Sequence, residues 1–236
     1  MSLRDTIRTY LARKLRVPEI PFALENLRAA GFQPTHIFDV GAYQGDFARS
    51  CLHTWSDAKI SCFEALEPKV AQLKQLAAQH PTITVFPGLV GAEAHEQVPL
   101  NLSETASSVL VEQVPQQFPV KFYPMRTIDQ IVREHFGDLS PDLLKIDVQG
   151  YELEVLKGAE KSLPNMQAIL AEVNLLDIHQ NVPLIADVIT WLNARDWVAY
   201  DICGLTRRPL DKALWQADLI FVPRQSPLRT DKRWNG

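Results

Sequence analysis

The stretch Ile37–Ala48, IFDVGAYQGDFA, places an acid near the end of an apolar run and two glycines close behind it. A plain core strand needs neither feature. The glycines stand at 41 and 45, which is not the G-x-G-x-x-G spacing of a dinucleotide fingerprint. A phosphate cradle would set bare amides at a helix N-terminus with Lys or Arg close by. This loop carries Asp39 and Asp46 and no base. Glycine lets a turning backbone come close to a ligand. The stretch therefore reads as strand, ligand-facing turn and helix start, and it suits a ligand with a cationic or hydrogen-bond-donating end.

Outward from it, short apolar runs alternate with amphipathic ones. THIFDV (35–40), KISCFEA (59–65) and TITVFPGLV (82–90) read as strands, with helices in DFARSCLHTW (46–55) and PKVAQLKQLAAQH (68–80) between them. Further on, DLLKIDV (142–148) and MQAILAEV (166–173) read as buried strands. Helices are expected in EIPFALENLRAAG (19–31), RTIDQIVREHFG (126–137), QGYELEVLKGAEKSL (149–163) and VPLIADVITWLNARD (182–196). The β-α-β order marks a parallel sheet covered by helices on both faces. WVAYDI (197–202) and DLIFVP (218–223) are joined too closely for a crossover helix and should pair antiparallel. Residues 92–125 break the rhythm: QVPLNL and SSVLVEQV suggest an insert or hairpin, interrupted by Pro115, Pro119 and Pro124. The expected organisation is an N-terminal helical segment (1–30), one α/β domain of about seven strands (31–223) and a loose polar tail (224–236).

The 236 residues are 46% hydrophobic, enough for a sizeable core, and the net charge of −4 supplies no basic field for nucleic acid. Cys51, Cys62 and Cys203 lack metal-type spacing and read as buried thiols of a reducing compartment, hence a cytoplasmic protein. No apolar run approaches the roughly 20 residues of a membrane span. The first residues, MSLRDTIRTYLARKLRV, form a basic amphipathic pattern with Leu3, Ile7, Tyr10, Leu11 and Leu15 on one side. That pattern serves either packing at the domain edge or docking to a membrane surface or partner.

In an open parallel sheet the ligand sits beyond the carboxyl ends of the strands. Asp39 and Glu64 close the first and second strands, and a carboxylate at the second can accept both hydroxyls of a ribose. A ribose there and an electropositive group over the first loop describe S-adenosylmethionine better than a nicotinamide dinucleotide. The structural alternative is that both acids cap the helices that follow.

FDVGAYQGDFA, CFEALEP, TIDQIV and above all LLKIDVQGYELEVLKGA resemble the FkbM family of S-adenosylmethionine-dependent methyltransferases, over roughly residues 22–223. The resemblance implies a Rossmann-like class I fold and methyl transfer to a hydroxyl of a sugar, polyketide or lipid-linked acceptor. It also implies that Asp39, Gly41, Ala42, Tyr43 and Gly45 line the methionine end and that Glu64 holds the ribose. Ser107 and Ser108 fall in a segment similar to the family's serine-bearing stretch, where they bound cofactor or acceptor or merely end a turn. Tyr43 departs from a commonly occupied Asn, and Glu67 adds an acid to the second-strand motif.

Methyl transfer from a sulfonium needs alignment and removal of a hydroxyl proton. Asp147 and Glu172, at the ends of neighbouring strands, can share a proton or hold a divalent cation. Asp147 also borders the cofactor. Lys145, two residues before Asp147 and so on its face, either stabilises an alkoxide or pairs with a buried acid. His179, just after the fifth strand in the loop expected to be most exposed to an acceptor, is a candidate base or a surface or packing residue. Glu152 opens a helix, where an acid answers the dipole. Trp191 and Trp197 are expected in the core. Residues 204–216, with Arg207 and Arg208, are expected to frame the acceptor pocket. A non-catalytic cofactor-binding module, a nicotinamide oxidoreductase and N-methylation remain alternative readings; the acceptor, metal dependence and oligomeric state lie outside the sequence.

Overall fold

A computed structural model describes residues 12–103, 106–114 and 117–234. Its main sheet has seven strands in the order β3-β2-β1-β7-β8-β10-β9. They are β1 (His36–Val40), β2 (Lys59–Glu64), β3 (Ile83–Pro87), β7 (Leu143–Ile146), β8 (Ala168–Asn174), β9 (Trp197–Arg207) and β10 (Leu214–Pro223). Helices α1 (Ile20–Ala29), α2 (Asp46–Thr54), α3 (Glu67–Gln79), α4 (Ile128–Phe136), α5 (Glu152–Lys157) and α6 (Ile185–Asn193) complete the domain. β1 pairs in parallel with both β2 and β7, while β10 runs antiparallel to β8 and β9. Strand order therefore reverses at β1, and the ligand crevice belongs at the ends of β1 and β7.

The central strands are buried on both faces, so each contributes to two cores. Phe38, Val40, Leu144, Ile146, Ile169 and Ala171 pack with Val155 and Leu192. Ile37, Ile60, Cys62, Leu143 and Leu170 pack with Leu24, Cys51 and Leu73. The two-residue period of a strand puts Asp39, Lys145, Glu172 and Asp218 on the second of these faces, each alternating with a residue of the first core. Asp39 lies opposite Lys145 in the β1–β7 register, and Glu172 opposite Asp218 in the β8–β10 register. A polar row thus crosses an otherwise apolar face.

Several elements differ from expectation. The third strand breaks at Gly88, giving β3 and a separate β4 (Leu89–Val90). β4, β5 (His95–Asn101) and β6 (Val120–Arg126) form a second sheet in the order β4-β6-β5. Pro124 lies inside β6 where the register with β5 shifts, so its missing N–H costs no regular ladder bond. Residues 107–114 make isolated bridges and no strand, Asn101 to Ser108 and Glu112 to His179. The helix after β7 is only Glu152–Lys157. β9 and β10 extend toward each other, leaving residues 208–213 as the connection. Most of the N-terminal amphipathic pattern lies outside the described residues; Leu15, expected on its apolar side, is exposed. Trp197 is buried and Trp191 packs against the core. In the expected tail, Leu228 packs on the core and Ser226 is buried. All three cysteines are free and buried. Among the described residues no helix is long and apolar enough to cross a membrane.

Gly158 closes α5 with its backbone against the second sheet: a Cβ there would lie 2.0 Å from the Gly91 carbonyl oxygen. Its φ of −72° suits any residue, so steric contact alone selects glycine. Gly158→Ala is expected to destabilise the protein by about 1–3 kcal/mol, as for other overpacked sites. Chemical denaturation of the pair checks this.

Candidate active site

Beyond Val40 the chain turns at Gly41, whose φ is +75° and where a Cβ would lie 1.8 Å from the Asp147 carbonyl oxygen. The turn is thereby laid on the exit of β7. Gly41 N–H and Ala42 N–H both donate to the Phe63 carbonyl at 3.0 Å, pinning it to β2. Tyr43 takes φ 48°, its N–H donates to Glu64 Oε2 at 2.8 Å, and the Lys69 ammonium sits 3.7 Å over its ring. Gly45 opens α2, and a Cβ there would come within 2.7 Å of the Leu76 side chain. Gly45 and buried Ala42 therefore serve helix packing and loop anchoring, away from the cavity wall.

A cavity of about 400 Å³ lies at this end of the sheet. Gly41, Tyr43, Glu64, Leu66, Gly88 and Leu89, which follow β1, β2 and β3, line it together with Asp147, Gln149, Glu172, Thr206, Trp215 and Gln216 from the β7, β8, β10 and β9 side. Ser107 and Tyr151 also line it. No Lys, Arg or His side chain is among the described lining residues. The volume is in the range of small-molecule sites.

Asp39 does not line it. The Asp39 side chain is fully buried and meets Lys145 Nζ at 3.0 Å. The same ammonium donates to the Gly41 carbonyl at 2.9 Å and stands 3.7 Å from Asp147 Oδ2. Burial works against charge on both partners, raising Asp39 and opposing the Lys145 cation. Asp39 and Asp147 more than offset that for Lys145, whose pKa lies above its ordinary value. Asp39 thus acts on the loop through Lys145, which fastens the Gly41 carbonyl from beneath.

Glu64 is held at both oxygens, Oε1 accepting from Leu66 N–H and Oε2 from Tyr43 N–H, each at 2.8 Å. Burial raises its pKa and these backbone donors oppose the rise. It borders the cavity with lone pairs left to accept hydroxyls.

Beyond β7, Gln149 holds φ 54° and its Nε2 donates to Asp147 Oδ1 and Glu172 Oε2, both at 3.0 Å. Gln216 Nε2 also donates to Glu172 Oε2. Burial, then Asp147, Glu152 and Asp218, push Glu172 well above the ordinary carboxylate range. Burial and Asp147 raise Asp218 to about 6. Gly204 makes room for Asp218: a Cβ there would lie 1.8 Å from its Oδ2. Glu152 Oε1 accepts the Val148 and Gly150 N–H groups at 3.0 Å, and its burial raises it to about 7. Among the described residues no group of three or more His, Cys, Asp or Glu is arranged to hold a metal. Between Asp147 and Glu172 an amide donor occupies the bridging position.

Three expectations are corrected. His179 is not in a loop open to an acceptor: it is buried, bridged to Glu112, and absent from the cavity lining. Burial lowers its pKa and keeps the imidazole neutral. Ser108 is also off the lining, donating through Oγ to the Gln149 carbonyl at 2.7 Å and accepting from Leu110 N–H. Arg207 and Arg208 are engaged by the Lys212 carbonyl and Asp211 within their own hairpin and do not line the cavity. Conversely, sequence reasoning missed Gln149, Gln216 and Asp218. A polar residue at 216 and 218, in phase with Ile220 and Val222, was the available signal.

Residues 39–198 match the Methyltransferase FkbM domain. The structure resembles Methyltransferase FkbM from Methylobacillus flagellatus KT with a TM-score of 0.57 at 17% identity, covering 86% of this chain and 48% of that one. The chain thus spans about half the length of that relative. It also resembles precorrin-6y C5,15-methyltransferase from Geobacter metallireducens GS-15 (TM-score 0.48, 11% identity, 86% and 85% covered). A third is magnesium protoporphyrin IX methyltransferase from Synechocystis PCC 6803 with bound S-adenosylmethionine (0.49, 12%, 92% and 81%). A comparison with curated proteins finds no match. The matched domain and strand order define the class, a methyltransferase domain of Rossmann-like class I fold. Within it, the chain belongs to the FkbM methyltransferase family.

Two consequences can be measured. Asp39→Ala leaves the buried Lys145 ammonium short of its main partner and should cost about 3–5 kcal/mol, read as a lower melting temperature. Glu152 has a folded pKa of about 7. Its raised value contributes stability below the ordinary Glu range that is lost as pH rises toward 7. Glu152→Gln keeps the acceptor oxygen, so it should gain on wild type across that window, by up to about 3 kcal/mol. Urea melts at several pH values test the sign.

Proposed function

We propose that the protein transfers the methyl group of S-adenosylmethionine to a hydroxyl oxygen of a small-molecule or glycan acceptor. The ribose hydroxyls would bond Glu64, and the methionine end would lie over the Gly41 turn toward Asp147. The acceptor would enter beside Gln149, Glu172, Thr206 and Trp215. The observation that carries this reading is an acid pair lining the same cavity as Glu64 and bridged by the Gln149 amide. A hydroxyl delivered there meets a carboxylate able to take its proton, and the cavity aligns oxygen, methyl and sulfur. The absence of cationic side chains among the described lining residues favours a neutral or hydroxyl-rich acceptor over a phosphorylated one. Asp147 and Glu172 act as the proton-accepting pair, with Gln149 and Gln216 orienting Glu172.

Calorimetric titration of S-adenosylmethionine is expected to show binding that Glu64→Ala weakens at least about tenfold, through loss of charge-assisted hydrogen bonds. In an acceptor screen over sugars, polyols and amines, the double variant Asp147→Asn/Glu172→Gln should lose about 100- to 10,000-fold in kcat. S-adenosylhomocysteine should still bind it. Wild-type turnover in the double variant would overturn the assignment of the base, and absence of donor binding would overturn the reading as a whole.

A further inference from the structure

Among the described residues, the acids around Glu172 share a single ammonium. Facing Glu172 are Lys145 from β7, Asp147 just beyond that strand, Glu152 from α5 and Asp218 from β10, with Asp39 beyond Lys145 on β1. From β9 the Cys203 thiol donates to the Asp218 backbone carbonyl and is held neutral by burial and by Asp218 and Asp201. Lys145 is the one ammonium in this group; it donates to the Gly41 carbonyl and is ion-paired with Asp39, with Asp147 next. The hydrogen-bond donors to Glu172 are neutral amides, those of Gln149 and Gln216. No Lys, Arg or His lines the cavity among the described residues. Like charges this close in a buried site do not all ionise without a counter-charge.

We infer, resting on the methyl-donor reading above, that S-adenosylmethionine binding is exchanged for a proton at this cluster. The sulfonium displaces a proton shared between Glu172 and Asp218, and Glu172 is left as the carboxylate that receives the acceptor's hydroxyl proton. The step balances. The acceptor O–H breaks and O–CH3 forms, while the S–CH3 bond breaks with its electron pair staying on sulfur. The hydroxyl proton passes to Glu172 as the sulfonium charge disappears. Transfer thus returns the cluster to its donor-free protonation state, and the proton that the overall reaction liberates leaves when the donor binds. S-adenosylhomocysteine shares the amine and carboxylate of the donor and lacks only the sulfonium, so it should bind without the exchange.

The test is calorimetry of both ligands with the full chain at about pH 6.5, in buffers of low and high ionisation heat. About one proton per site should be released by S-adenosylmethionine and none by S-adenosylhomocysteine. Glu172→Gln should abolish the release while S-adenosylhomocysteine binds as before, and Asp218→Asn should diminish it. Donor binding with no proton released, or equal release by both ligands, overturns this inference and leaves the methyltransferase reading standing. Release unchanged in Glu172→Gln overturns it as well. Failure of the donor to bind wild type overturns both.

Discussion

The Lys145 ammonium, locked between Asp39, the Gly41 carbonyl and Asp147, is the contact on which the rest of the site depends. It joins β1 to β7 where strand order reverses, the one place in a parallel sheet where neighbouring loops diverge and open a crevice. Lys145 fixes both walls of that crevice at once, holding the Gly41 turn from below and Asp147 from the side. Such a pair adds little net stability over an apolar equivalent, but loss of either partner strands a charge in the core. Its value is geometric: it specifies one position for a loop whose glycine would otherwise permit many.

The same strand periodicity that brings Asp39 and Lys145 together carries the polar row onward. Glu172 and Asp218 face each other across β8 and β10 because both strands are in phase with the β1–β7 pair. Gly204 on β9 leaves the space that the Asp218 carboxyl fills. An antiparallel β10 between β8 and β9 is what delivers Gln216 to the cavity, since its chain starts at the ligand end while β8 finishes there. The reversed strand is therefore part of the site as well as of the fold.

Much of this could be read in the chain, and the misses share a cause. Alternating apolar runs and helical patterns identified the parallel sheet, and the two-residue spacing of Lys145 and Asp147 put them on one face. Asp39, at a strand end, reads as facing the ligand. The deciding fact, that its face is the buried one, needs the β1–β7 register. His179 reads as exposed because loops after strands usually are. Here residues 111–113 cover it, through bonds such as Gln113 N–H to the Ile178 carbonyl and Gln180 N–H to the Val111 carbonyl. Those contacts join segments far apart in sequence, and no local pattern encodes them. Asp218 was placed at the start of a strand that in fact begins at Leu214, so its partnership with Glu172 stayed hidden.

Gln149 shows how the insert and the chemistry are tied together. A glutamine at φ 54° lies in the left-handed region, a conformation that costs of order 1–3 kcal/mol and persists only where its surroundings over-determine it. The Ser108 hydroxyl donates to its carbonyl from the insert, and the Glu152 carboxyl takes the N–H groups of Val148 and Gly150 on either side. Its side-chain amide is thereby turned back between Asp147 and Glu172. A lysine in that place would neutralise the pair, and an apolar residue would leave it unoriented. A neutral amide orients both carboxylates while leaving their charge to be answered by whatever enters the cavity. Ser108, though it never meets the cavity, is thus a positioning residue for it: the segment that differs most from the regular fold holds the strained turn on which the acid pair depends.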